Sequence, residues 1–226
     1  MPSAHARGTA AQRLDFDRPV NYFIAMDARS DTRQRLIDSA RNLIYTRSYS
    51  DVGVQEICDR AGVRKGSFYH FFPSKRDLTL AVLDQLQAFF RQDIIGRAFA
   101  PDIPPLQRIS RFFDYTADFQ QQMKQDTGQM PGCPFGNLAC EMSTRDEVIR
   151  QRVEQILRDG EVPFEQALSE AISNGELPEL DTAATARALF AYAEGIMVYA
   201  KASNNPEMIR ELGKHALQLV VPQRPA

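Results

Sequence analysis

The chain has 226 residues, of which 43% are hydrophobic and 25% charged, and its formal net charge is −2. That balance belongs to a soluble globular chain long enough to bury a sizeable core, and it excludes a disordered or low-complexity polypeptide. Val20–Met26 is too short and polar for a signal-peptide core, no apolar run reaches membrane-spanning length, and Cys58, Cys133 and Cys140 do not suggest a disulfide framework, so the expected compartment is a reducing cytoplasm.

The charge is unevenly divided. Residues 1–28 carry 3 Lys and Arg against 3 Asp and Glu, residues 29–76 carry 10 against 5, and residues 77–226 carry 14 against 21. A small basic segment beside an acidic remainder is the footprint of a phosphate-binding module. Residues 1–28 lack a sustained helical pattern. They read as a flexible arm, as an arm touching a minor groove, or as sequence upstream of a true start at Met26.

A first helix is expected over Asp31–Arg47, with Ser30 or Asp31 as its N-cap and Leu36, Ile37, Ala40, Leu43 and Ile44 as its apolar stripe. Tyr49 and Val52 fall in the connection after it. In the second helix, Val54, Ile57, Cys58 and Ala61 repeat at i, i+3, i+4, i+7, and Gly62 is suited to the left-handed turn that ends it. Arg64, Lys65, Gly66 and Ser67 then open a short third helix that continues through Phe68, Tyr69, His70, Phe71 and Phe72, and Pro73 closes it. Ser74-Lys75-Arg76-Asp77 forms a capping box for the next helix.

Two short helices, a Gly-containing turn, and basic and hydroxyl residues at the start of the second make a DNA-binding helix-turn-helix. Arg64 and Lys65 can meet phosphates or a guanine edge, Gly66 permits close backbone approach, and Ser67 can donate to a phosphate oxygen. Tyr69 and His70 extend this surface. Gln55 is a further candidate contact, and Lys75 is a second phosphate clamp. Phe68 and Phe72, four apart, are expected to face inward.

AGVRKGSFYHFFPSKRDL resembles the signature of the TetR family of bacterial transcriptional regulators, with the detailed match covering Arg29 to Arg76. The resemblance implies an all-α homodimer. Its N-terminal three-helix DNA-binding domain would be residues 29–76, and its larger ligand-binding and dimerisation domain residues 77–226. It also implies that Tyr45 is the aromatic closing the first core. Arg64 stands where Ser or Thr is commoner, Phe71 where His or Tyr is frequent, and Gly53 at a usual Thr cap. These departures bear on the operator sequence rather than on DNA binding.

From Ser74 an amphipathic pattern runs to about Phe99 through Leu78, Val82, Leu86, Phe89 and Phe90. Pro101, Pro104 and Pro105 break it. A helix from Leu106 to about Lys124 carries Phe112, Phe113 and Phe119, and a Gly- and Pro-containing loop over residues 125–136 leads into Asn137–Met142. Thr144 and Glu147 are expected to cap a long helix that Pro163 kinks or breaks and Asn174-Gly175 ends. Asp181 caps a helix rich in small residues, and Asn204-Asn205-Pro206 turns into a last helix reaching Val220.

The C-terminal half suggests three sites. Phe89, Phe112, Phe113, Tyr115, Phe119 and Phe164 are either plain core or the wall of an apolar cavity, the cavity being what the family resemblance implies. Asn137, Tyr192, Glu194 and Tyr199 join Tyr115 as polar candidates. The run Met130–Met142 resembles a segment of a subset of the family. There Cys133 is expected at a helix N-terminus that lowers its pKa, with Cys140 seven residues on: either two inert cysteines in a structural motif or a thiol sensor. Ala184, Ala188, Ala191 and Gly195 form a small-residue stripe which, with Leu212 and Ala216, is the expected dimer interface.

His5, His70 and His215 are far apart, and no catalytic or metal-ligand spacing is present, so neither an enzyme, a cofactor nor a metal site is expected. The reading is a cytoplasmic homodimeric repressor that binds a roughly palindromic double-stranded operator and is released by a small molecule. Its rivals are a thiol sensor acting through Cys133 and a ligand-independent DNA-binding dimer.

Overall fold

The computed structural model describes residues 31–220 of the chain; the predicted arm and the Met26 start lie outside them. All regular structure among the described residues is helical. The first layer is α1 (Thr32–Thr46), α2 (Val54–Ala61) and α3 (Lys65–Phe71). Asp31 caps α1 by accepting from the Gln34 N–H at 2.8 Å. Leu36, Ile37 and Ala40 of α1, Ile57 and Cys58 of α2, and Phe68 of α3 are buried together as one core. Gly62 ends α2 at φ 64°, where a side chain would be strained, and the Val63 N–H closes the turn on the Cys58 carbonyl.

Ser74 caps α4 (Lys75–Phe89), its hydroxyl accepting from the Asp77 N–H and donating to the Asp77 carboxylate. The expected helix to Phe99 does not stay regular. At Phe90 it widens into a π-helical segment, Phe90–Ile95, before a last turn over Gly96–Ala98. A 3.6-residue pattern does not mark such a widening, which shifts the phase of the residues beyond it. The shift buries Ile94 and carries Phe90, Arg91 and Ile95 onto a cavity wall.

The second layer comprises α5 (Pro105–Thr127), α6 (Pro134–Met142), α7 (Glu147–Ser173), α8 (Thr182–Ala202) and α9 (Glu207–Gly213), with a 3₁₀ turn at Ala216–Leu219. α7 packs on α5, α6 and α8, and α9 packs on α5 and α8. α4 packs on both α1 and α7, so it belongs to both layers.

Several boundaries differ from expectation; the loop predicted over residues 125–136 is helical at both ends, up to Thr127 and from Pro134. Asp146, not Thr144, caps α7: its carboxylate accepts from the Val148 and Ile149 N–H groups, after a turn off the end of α6 has brought it there. Pro163 does not break α7, which is continuous for 27 residues. The lost N–H is one helical bond, and burial of Phe164, Ala167 and Leu168 in the next turn outweighs it. The last helix stops at Gly213, where a Cβ would lie 2.5 Å from Phe113. Glycine both permits that close approach and weakens the helix.

The small-residue stripe of α8 faces outward: Ala184, Ala188, Ala191 and Gly195 are exposed, and so are Val198 and Tyr199 at 61% and 69%. Ala216 does not join it. It is fully buried within its own chain, because the 3₁₀ turn folds it against α5 and α8. Leu212 is half-buried, and its carbonyl accepts from the Tyr192 hydroxyl at 2.9 Å.

Candidate DNA interface and effector cavity

The predicted DNA contacts lie on α2, on α3 with its N-cap, and at the start of α4. Gln55, Arg64, Lys65, Gly66, Tyr69 and His70 are exposed, Ser67 and Lys75 half-buried. Arg64 is the exposed N-cap of α3, in extended conformation. Nothing approaches within 4 Å of the space above Gly66. Phe68 and Phe72 turn inward as expected. Gln55 is bonded within its own helix to Asp59 at 2.8 Å. Lys75 differs from a free clamp. Its ammonium donates to the Tyr49 carbonyl and lies 4.0 Å above the Tyr49 ring, and burial pushes its pKa down.

The second layer, with the end of α4 and the π segment, forms a cavity of about 480 Å³. Phe90, Phe112, Phe113, Phe119, Phe135 and Phe190 line it. Of the predicted wall, Phe112, Phe113 and Phe119 are present. Phe89 and Phe164 are not on the wall but pack against it, Phe89 edge-to-face with Phe90 and tilted against Phe119, and Phe164 edge-to-face with Phe112 and Phe190. Tyr115 and Tyr192 are not on the wall either. Asn137 points elsewhere, donating to the Pro131 carbonyl and accepting from Lys201. The missed lining comes from the π segment and from α7 and α8. Gly160 of α7 lets the Phe190 ring close the wall, since a Cβ there would lie 2.6 Å from it.

Cys133 and Glu194 also line it, together with Gln87, Thr116, Asp159 and Gln166. Cys133 is the N-cap of α6, its sulfur accepting from the Gly136 N–H at 3.4 Å. The expected low pKa is not found. Burial, and next the Glu194 charge beside it, push the thiol well above its ordinary value, outweighing the helix end. Cys140 is exposed and off the wall, and Cys58 lies in the first core.

The two sites are joined. The Tyr45 hydroxyl of α1 donates to the Gly132 carbonyl at 2.7 Å, and Gln120 of α5 clasps Gly132 from the other side. Burial holds the Tyr45 phenol neutral. Gly132 adopts φ 79°, and the residue after it is the cavity-lining Cys133. At the far end of α6, the Glu141 carboxylate accepts from the Tyr49 and Ser50 N–H groups at 2.9 and 2.7 Å. This helix therefore starts in the cavity wall, and Gly132 just before it and Glu141 near its end are both bonded to the DNA-binding layer. Nothing in local spacing signals this, because the partners are about 90 residues apart.

Among the described residues no group of His, Cys, Asp or Glu could hold a metal ion, and no helix is long and apolar enough to cross a membrane.

Known proteins resemble this arrangement in both halves. The family model "Bacterial regulatory proteins, tetR family" matches residues 36–82, and "Tetracyclin repressor-like, C-terminal domain" matches residues 105–216. Transcriptional regulator AcuR of Cereibacter sphaeroides is 32% identical over 188 residues, covering 80% of this chain and 84% of that one. HTH-type transcriptional repressor DhaR of a Mycobacterium species is 26% identical, covering 86% and 95%. The crystal structure of a regulatory protein TetR from Rhodobacter sphaeroides superimposes with a TM-score of 0.74 at 29% identity, covering 85% of this chain and all of that one.

The Glu141 clasp has a pH signature. Burial alone would raise this carboxyl, but hydrogen bonds from Ser50 and the Tyr49 backbone lower it below the usual 4.5. Its stabilisation is therefore complete above 4.5 and lost as pH falls through the depressed folded-state value. Urea unfolding of Glu141→Gln against wild type should show a stability difference that is full near pH ~7 and shrinks on acidification below 4.5. A difference independent of pH would contradict the clasp.

Proposed function

Because the chain belongs to the TetR family and is a DNA-binding transcription regulator rather than an enzyme, we propose that it works as a homodimeric repressor that a small molecule releases from its operator. In this reading each α3 enters a major groove. Arg64, Lys65, Ser67, Tyr69 and His70 make most contacts there, with Gln55 and the remaining N–H donors of Lys75 in support. Two-fold symmetry then requires a roughly palindromic site.

The observation that carries the ligand response is the double attachment of α6. A molecule that fills the cavity presses on Cys133 and Phe135, and the same helix holds Tyr49 and Ser50 through Glu141. Occupancy can thereby favour one setting of the helix-turn-helix over another, provided the ligand binds the two settings with different affinity. An open cavity supports this reading over the ligand-independent dimer, for which side chains would fill the space. The raised thiol pKa of Cys133 speaks against an oxidant sensor, since the thiolate is the reactive form. The DhaR name supports repression by analogy.

Dimerisation is assigned to the outward face of α8. Ala184, Ala188, Ala191 and Gly195 leave room for a second helix to approach closely, and Val198 and Tyr199 supply apolar area at one end.

Two variants test the reading. Lys65→Ala should weaken duplex binding about equally across sequences and lower the salt slope by about one unit; unchanged affinity and slope would remove Lys65 from the interface. Ala188→Glu should give folded monomers by analytical ultracentrifugation and circular dichroism, with operator binding lost although α3 is untouched. A dimer with normal operator affinity would overturn the interface assignment.

A further inference from the structure

Two carboxyls line the mostly apolar cavity: Asp159 of α7, which is exposed and accepts from Gln87 and Gln155, and Glu194 of α8. Glu194 sits against the Cys133 thiol at the start of α6, in space a side chain at position 136 would occupy: a Cβ on Gly136 would lie 2.7 Å from its Oε2. Glycine at 136 is thus what admits the carboxyl. Among the described residues no basic side chain forms an ion pair with it. Lys201, seven residues along the same helix, gives its ammonium to Asn137 at 2.8 Å. Arg91 also lines the cavity, from the π segment, but is exposed to solvent.

A carboxyl in an apolar cavity without a cation is costly as a charge and is relieved by a partner that brings one. The other walls suit the same partner. Six phenylalanine rings surround the space, and aromatic faces attract cations as well as hydrocarbon. We propose that the effector is a hydrophobic organic cation, an amine on an aryl or alkyl body, whose ammonium pairs with Glu194 while the phenylalanines hold the rest. The proposal rests on the effector reading above and deepens it by naming the ligand class. It also explains why the carboxyl lies beside Cys133. An ammonium drawn to Glu194 is drawn to the first turn of α6, the helix that reaches the DNA-binding layer.

Three soluble probes on one skeleton test it by isothermal titration calorimetry on the full chain: 4-phenylbutylamine, 4-phenyl-1-butanol and 4-phenylbutyrate. The amine should bind at least about tenfold more tightly than the alcohol, and the carboxylate most weakly. Glu194→Gln should abolish the amine's advantage and leave alcohol binding unchanged, which also shows that the variant keeps its cavity. Alcohol or carboxylate binding as tight as the amine would overturn the charge preference while leaving an effector cavity standing. An advantage that survives Glu194→Gln would overturn the role of Glu194. Failure of all three probes to bind would overturn the ligand class and count against the effector reading itself.

Discussion

The buried hydrogen bond from the Tyr45 hydroxyl to the Gly132 carbonyl sets the relation between the two layers. A phenol and a carbonyl buried together must find each other or lose the energy of their hydration. The bond therefore fixes where α1 meets the loop before α6. Gln120 donates to the Gly132 carbonyl and accepts from the Gly132 N–H, so that loop cannot shift without breaking several buried bonds at once. The whole of α6 inherits this position: Cys133 and Phe135 in the cavity wall, Glu141 against the connection between α1 and α2.

The same anchoring gives the proposed switch its shape. Buried polar groups with discrete partners have discrete arrangements, so pressure from the cavity is resolved by exchanging partners rather than by gradual bending. Lys75 adds a second hold on Tyr49 from α4, the helix that touches both layers, so Tyr49 is where the two routes from the C-terminal layer converge. The π segment of the α4 continuation lies on the cavity wall as well. Each element proposed to carry the signal thus has one part facing the ligand space and another facing the DNA-binding layer.

Much of this is legible in the residues. Asp31, Gly62, Ser74 and Asp181 each terminate or start a helix where their chemistry places them, because caps act over three or four residues. The inward turn of Phe68 and Phe72 and the outward face of Ala184, Ala188, Ala191 and Gly195 obey helical spacing in the same way. What spacing cannot reveal depends on distant partners. The π segment moves the lining by a phase. Phe89 and Phe164 are aromatic and inward as expected, but they pack against the wall rather than lining it, because helical period gives a face and not a depth. The place of Cys133 at a helix N-terminus is expected from the sequence, yet its pKa depends on burial and on Glu194, 61 residues away in the chain. Ala216 leaves the expected interface because the helix before it ends at Gly213, where Phe113 approaches from α5.

In this scheme, occupancy of the cavity is felt at the connection between α1 and α2 through α6. Amide hydrogen exchange of Tyr49 and Ser50, with the cavity empty and with it saturated by a bound molecule, reads this coupling, since both N–H groups are held by Glu141. Protection at these two amides should change on saturation, and the change should be lost in Glu141→Gln. Identical protection in the empty and saturated protein, with binding verified on the same sample, would refute the coupling.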